Sequence, residues 1–367
     1  MNATMRRVAI ATAVVSMAAS LAACGSAKEA DNEGKKEKKT GALTIGLLLP
    51  EDQTARYENF DRPLIKEKIL ADCSDCKIQY ANAKSDPSVQ QQQVDSMITK
   101  KVDVIILDSV DSKSIGGSVK KAAEANIPVV AYDRLAEGPI SAYTSFDNET
   151  VGKVQGEALL KALGDKAKGG KGKIVMLNGW EADPNAAMFK KGALSVLKGK
   201  VEIAKSYDVD RWLAEEANKA MTGAISSVGK NDIVGVYSAN DSMAGGAITA
   251  LKSGGVKPLP PVTGQDAELA GVQRVVSGEQ YMSVYKSYVE EATAAAKMAI
   301  ALGRGEKAAG TSTVDSPTTK DIPATLIPPV SLTKDNIKST VIKDGLYTVG
   351  QICTPKLKAA CDAAGLK

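Results

Sequence analysis

A strand motif recurs along this chain and leaves few architectures open to it. Short apolar, largely β-branched runs stop abruptly at charged or amide side chains, most clearly in VVAYDR at residues 129–134 and PVTGQD at residues 261–266. A parallel strand buried on both faces reads as a continuous apolar run, and in open α/β sheets ligands bind just beyond the carboxyl ends of strands. Asp133, Arg134, Gln265 and Asp266 therefore stand where a polar ligand is gripped. The run at 102–107 likewise ends in Asp108, that at 173–177 in Asn178, that at 233–238 in Asn240 and Asp241, and that at 281–285 in Lys286. Strand-end Asp, Asn, Arg and Lys, in a chain with no histidine, point to binding before catalysis.

Helix signals fill the gaps between these runs. Asp86-Pro87 and Asp183-Pro184 each pair an N-cap carboxylate with a proline at the first helical position. Further helices are expected at 59–71, 112–126, 149–163, 211–227, 242–253, 268–277 and 288–302. Strand and helix alternate, so the sheets should be parallel with right-handed crossovers. The 367 residues are long for one core and suit two α/β domains.

The missing histidine removes Ser-His-Asp and Cys-His arrangements and histidine metal sites. The net charge of +4 is carried by scattered lysines, which gives no stripe for nucleic acid. The Gly/Lys-rich loop at 164–171 precedes a strand and lacks G-x-x-x-x-G-K-[ST], so it is not a phosphate loop.

The first residues read as a targeting segment. Arg6 and Arg7 precede an apolar stretch at 8–19 that is too short to span a bilayer. Leu21-Ala22-Ala23-Cys24 resembles a lipobox, so residues 1–24 are expected to be a lipoprotein signal peptide with Cys24 as the lipidated first residue of the mature chain. Export follows, with an acyl-type anchor at the outer face of the cell membrane. Residues 25–41, rich in Lys, Glu, Gly and Ala, read as a solvated tether.

Over roughly residues 42–345 the chain resembles the periplasmic sugar-binding proteins of bacterial ABC transporters, of the D-xylose, ribose, multiple-sugar and glucose/galactose type. The resemblance rests on AYDR at 131–134, SFDN at 145–148, SAND with GGAI at 238–248, GQDAELAG at 264–271, VYK at 284–286 and VIKDG at 341–345, all in the family's order. It implies an α/β fold of two similar doubly wound parallel-sheet lobes joined by a three-crossing hinge. We place the crossings near 146–147, 285–287 and 319–322. Residues 42–146 plus 287–320 then form the N-terminal lobe, and 147–286 plus 321–367 the C-terminal lobe and tail. The implied function is capture of a monosaccharide, D-xylose foremost, and its delivery to a permease. The implied protein is a monomer without cofactor or metal. The alternative ligands are glucose, galactose or several sugars, with a sensory receptor as a further recipient.

A sugar presents hydroxyls that both donate and accept, which suits carboxylate, amide and guanidinium groups, and apolar C–H faces that suit aromatic rings. By the resemblance, Arg56 reaches the sugar and Tyr57 stands where an aromatic stacks. Asp133 and Arg134 form a binding pair, Asn185 supplies an amide, Trp212 an aromatic wall, and Asn240, Asp266 and Lys286 polar contacts. Each has a plainer reading. Asp133–Arg134 also fits a strand-end ion pair, Trp212 a core residue and Lys286 a solvated lysine. We read Asp241 as the helix cap, Asn240 as the ligand contact, and Asn148 as a cap and hinge residue. Trp180, Glu181 and Pro184 depart from the family's pattern; Trp180 is expected to add a stacking face, and Pro184 to remove a hydroxyl partner.

Four cysteines remain beside Cys24. In an oxidising compartment Cys73–Cys76 and Cys353–Cys361 are the local pairings, with a four-cysteine zinc site as the alternative. Two other functions share parts of this pattern. A transcription regulator of this fold needs a DNA-binding helix-turn-helix where this chain carries a lipobox. A glycosidase needs two carboxylates, one with a raised pKa, whereas Arg134 and Lys286 would keep Asp133 and Asp266 ionised.

Overall fold

The computed structural model describes residues 39–367. The signal segment, the lipobox with Cys24 and most of the tether lie outside the described residues.

The first sheet is built from β1 (Thr44–Leu49), β2 (Lys77–Asn82), β3 (Val104–Leu107), β4 (Val129–Tyr132) and β5 (Ala142–Phe146), interleaved with helices α1 (Arg62–Asp72), α2 (Pro87–Thr99) and α3 (Gly116–Glu124). Asp86 caps α2 by accepting from Ser88 N and Val89 N, with Pro87 in the first turn. These strands run parallel; β1, β3, β4 and β5 are buried on both faces, and β2, at the sheet edge, is half-buried. Ile45, Leu47, Ile106, Val130 and Tyr132 face Ile65 and Ile69 of α1. Leu48, Ile105, Leu107, Val129 and Ala131 face Val94 and Met97 of α2 and Val119 and Ala122 of α3. The period-2 side-chain alternation thus feeds two apolar layers, which is why the runs carry no polar interruptions.

The chain then enters α4 (Asn148–Leu163), β6 (Lys173–Asn178), α5 (Pro184–Leu197), β7 (Glu202–Asp208), α6 (Ala214–Val228), β8 (Ile233–Ser238), α7 (Asp241–Ser253), α8 (Leu269–Ser277) and β9 (Ser283–Tyr285). Asp147 caps α4 through Thr150 N, and Asp183 caps α5 through Asn185 N. The second sheet has the order β7-β6-β8. The strand expected at 261–264 is reduced to a single parallel bridge, Val236 to Val262. Its backbone still ties β8 to β9, because Thr263 N donates to Val236 O and Val284 N to Gly264 O.

The last stretch is α9 (Tyr288–Gly303), β10 (Ser312–Val314), β11 (Ile322–Ile327) and β12 (Val330–Leu332). Ala292, Ala295 and Ala299 of α9 return to the first core. β12 pairs antiparallel with β9. The third crossing differs from expectation. β11 pairs in parallel with β5, Ala324 opposite Tyr143 and Ile327 opposite Phe146, so the first sheet has the order β10-β11-β5-β4-β3-β1-β2. The chain leaves that sheet at Pro328-Pro329, where the missing N–H groups end the ladder. The third crossing therefore follows Ile327 rather than lying at 319–322. The tail, with short helices α10 (Val349–Ile352) and α11 (Lys358–Ala363), lays Ile337, Val341, Ile352 and Leu366 against Val272, Val275 and Val276 of α8.

Cys73 is bonded to Cys76 and Cys353 to Cys361. Among the described residues no helix is long and apolar enough to cross a membrane.

Candidate functional site

The carboxyl ends of the strands in both sheets converge on one cavity. It is lined from the first sheet's side by Thr54, Arg56, Tyr57, Asp133 and Arg134, and from the second by Asp183, Asn185, Phe189, Trp212, Asn240, Gln265, Asp266 and Lys286. The space left unfilled by atoms, its opening to solvent included, is about 300 Å³. The nine residues to which the resemblance gives a ligand role, Arg56, Tyr57, Asp133, Arg134, Asn185, Trp212, Asn240, Asp266 and Lys286, all lie on this wall.

Arg56 lies at the start of the helical stretch that follows the loop after β1 and leads into α1. Its Nε donates to Asp61 Oδ2 at 2.8 Å, its Nη2 to Asp61 Oδ1 at 3.0 Å and to Glu291 Oε2 at 2.9 Å, and its Nη1 to Asp133. The guanidinium carbon also lies 4.6 Å from the Tyr288 ring centroid. Asp133 has left-handed backbone, φ 56°. Three contacts hold it there: Asp133 N donates to Thr144 O at 2.9 Å, and Tyr143 and Ser145 hydroxyls donate to Asp133 O at 2.9 and 2.7 Å. Such strain costs on the order of 1–3 kcal/mol and persists where surrounding structure enforces it.

Several contacts cross between the halves, among them the Tyr288 hydroxyl, which donates to Asp266 O at 2.7 Å. Arg134 Nε meets Asp183 Oδ2 at 2.8 Å. Asn185 Nδ2 donates to Asp133 Oδ1 at 2.7 Å and to Asp133 O at 3.2 Å. Arg134 is further fixed by Ser109 O at 3.1 Å and Tyr57 Oη at 3.1 Å. On the far wall Lys286 Nζ meets Asp266 Oδ1 at 2.7 Å. Asn185 Oδ1, Trp212 Nε1 and Gln265 Oε1 are buried without a hydrogen-bond partner among the described residues. Unpartnered buried polar atoms are costly, and a ring of them around one cavity is suited to a ligand dense in hydroxyls.

The electrostatics favour a fixed charge on Asp133. Burial alone would raise its pKa, but Arg56, then Lys286 and Arg134, hold it below the usual carboxylate value. Burial pushes Asp108 and Glu291 well above that value against the pull of Arg134 and Arg56 respectively. Asp133, beside the cavity, is thus a poor proton donor, which argues against its use as a glycosidase acid.

Some expectations change in detail. Trp180 does not line the cavity; it packs against the apolar core of the second half. The helix expected from Arg211 starts at Ala214, and Trp212 sits in a tight turn with Arg211 and Trp212 at φ 48° and 60°. The roles of Asn240 and Asp241 also differ. Asn240 Oδ1 accepts from Met243 N at 2.9 Å and so caps α7, which leaves its NH₂ for a ligand. Asp241 is no cap; its carboxylate accepts from Glu268 N, Gln280 and Ser283. Asn148 is the first residue of α4, with Nδ2 donating to Ser145 Oγ at 3.2 Å. Gln265 lies on the wall, as its place at a strand end implied, and Thr54, Asp183 and Phe189 join it beyond the expected contacts. Phe189 lies one turn after Asn185 on α5, a spacing that places both on one helix face.

Residues 45–307 match the family model described as a periplasmic binding protein domain. The chain is 35% identical over 312 residues to the D-xylose-binding periplasmic protein of Haemophilus influenzae, covering 83% of this chain and 91% of that one. It is 31% identical over 327 residues to a multiple sugar-binding periplasmic protein of Azospirillum brasilense, covering 84% and 90%. Among solved structures, an ABC transporter solute-binding protein from Clostridium phytofermentans with bound β-D-glucose is similar at a TM-score of 0.77 and 29% identity, covering 84% of this chain and 99% of that one.

Proposed function

The chain belongs to the periplasmic binding protein domain family, and from that premise we propose that it captures one monosaccharide in the cavity between its two sheets and hands it to an ABC permease, with D-xylose the foremost ligand. It is a sugar-binding transport protein rather than an enzyme. The observation that carries the reading is the meeting of strand-end polar groups from both sheets around a single small cavity, with Asn185 Oδ1, Trp212 Nε1 and Gln265 Oε1 on its wall without a partner among the described residues. Asp133, Asn185, Asn240, Gln265 and Asp266 offer hydroxyl partners. Tyr57, Phe189 and Trp212 offer faces for the C–H side of a sugar ring. Arg56, Lys286 and Arg134 hold Asp133 charged and donate in their turn.

Residues 42–146 with the returning α9, β10 and β11 act as one lobe, and residues 147–286 with the tail as the other. A ligand that touches both lobes binds the closed arrangement better than an open one, and so draws the population toward closure. Export and an acyl anchor on Cys24 keep the protein at the outer face of the cell membrane, beside the permease.

The resemblance to multiple-sugar and glucose-bound proteins supports a second ligand set of glucose or several sugars. A thermal-shift screen of the purified chain against pentoses and hexoses separates the two. A sugar at 100 times its Kd adds about 2.7 kcal/mol of stability, which raises the melting temperature by several degrees. Stabilisation by D-xylose above all others supports the first set, and equal stabilisation by glucose and galactose the second. No response to any monosaccharide contradicts both.

A further inference from the structure

We propose that Asp241, which does not line the cavity, is a positioning residue that fixes the Gln265–Asp266 turn in the conformation that meets the ligand. The proposal rests on the sugar-binding reading above.

Asp266 and Ala267 carry φ values of 87° and 47°. Two consecutive non-glycine residues in left-handed backbone do not persist without enforcement. Asp241 brackets them on both sides. Its backbone N donates to Gln265 O at 3.0 Å, ahead of the strained pair. Its Oδ2 accepts from Glu268 N at 3.0 Å, directly after it. Ser283 extends the clamp: its hydroxyl reaches Asp241 Oδ2 at 2.8 Å while its oxygen accepts from Ala267 N at 3.1 Å. Gln280 Nε2 donates to Asp241 Oδ1 at 2.6 Å, and Arg274 Nη2 to Asp241 O at 2.6 Å, so every polar group of Asp241 is committed.

The surrounding sequence makes room for this carboxylate. A Cβ on Gly264 would stand 2.0 Å from Asp241 Oδ1, and one on Gly271 2.1 Å from Oδ2. The glycines of GQDAELAG are thus the walls of an Asp241 socket. A bare helix cap needs none of this, and the cap of α7 is in any case supplied by Asn240.

The test is a double-mutant cycle on D-xylose affinity, read by calorimetry on the full purified chain. If Asp241 acts through the turn, its loss matters only while the turn has its native contacts. Asp241→Asn should weaken D-xylose binding about tenfold in the native background but no more than about twofold in a Gln265→Ala background, because coupled residues give non-additive effects. Gly271→Ala, which crowds the carboxylate without changing it, should behave in the same way. If Asp241→Ala does not fold, Asp241→Asn and Gly271→Ala still decide the matter. Equal losses in the two backgrounds, or full affinity in Asp241→Asn, overturn the proposal. A native chain that binds neither D-xylose nor D-glucose refutes the sugar reading and this one with it.

Discussion

At the scale of single residues, Asp266 is the proposed contact whose loss should be most informative. It follows the bridge at 261–264, lines the cavity and pairs with Lys286. Removing a buried charged hydrogen-bonding partner costs about 1.5–3 kcal/mol. Asp266→Ala is therefore expected to weaken sugar binding by roughly 10- to 150-fold, with the chain's unliganded melting temperature little changed. A collapse of that melting temperature would make Asp266 a structural residue instead. Nearby, Glu268 predicts a pH effect. Burial first, then the negative neighbours Asp241 and Asp266, push its pKa up to about 8 from an ordinary 4.5. Asp241 is raised as well, but its oxygens already accept three side-chain and backbone donors, so the proton resides on Glu268, which has only the Ser242 hydroxyl. The folded chain thus holds a proton that the unfolded chain releases between about pH 4.5 and 8. Stability from this source falls as pH rises through that window. The other groups facing Glu268 are Arg274 and Tyr347. Glu268→Gln should flatten the dependence of melting temperature on pH between 5 and 8, and parallel profiles for the two proteins would refute the assignment.

At the scale of elements, the strand ends were legible because parallel strands buried on both faces leave an unmistakable apolar run with a polar stop. Asp133, Arg134, Asp266 and Lys286 follow from that pattern. The caps at Asp86 and Asp183 were legible for an equally local reason. What stayed hidden depends on tertiary contact. Asp183 reads as a cap, yet its second carboxylate oxygen meets Arg134 from the other half. The cap of α7 falls to Asn240 rather than Asp241, because only the folded chain shows which side chain turns back to α7 and which enters the glycine socket. The third crossing was misplaced because IPATLI at 322–327 is a short edge-side strand, and its partner β5 lies far back in the sequence. Trp212 belongs to this scale too. Its indole lies against Gly179, where a Cβ would stand 2.0 Å from the ring, and edge-on to Phe189 at 6.2 Å. Gly179→Ala should displace the ring and weaken sugar binding at least tenfold while leaving the rest of the fold intact. Trp212 and Trp180 are the chain's two tryptophans, so Trp180→Phe isolates its fluorescence. An unchanged emission spectrum and affinity in Gly179→Ala would show that the ring is not held from this side.

At the scale of the whole molecule, the account joins an N-terminal anchor to a two-lobed clamp. The anchor predicts that the mature chain begins at a lipidated Cys24 and partitions with membranes, and that Cys24→Ser releases the protein without loss of sugar affinity. Mass spectrometry showing an unmodified N-terminus at another residue would contradict it. The clamp rests on contacts that cross between the halves, Arg134 to Asp183 and Asn185 to Asp133, beside the ligand wall itself. Arg134→Ala, from the first half, and Asn240→Ala, from the second, should each reduce closure at a fixed subsaturating sugar concentration. Small-angle X-ray scattering with and without D-xylose reads closure directly. With binding saturated, as verified by calorimetry on the same sample, the radius of gyration should fall, and Asp266→Ala should need roughly 10- to 150-fold more sugar to reach the same fall. Saturated binding with an unchanged scattering curve would contradict a sugar gripped between two closing lobes.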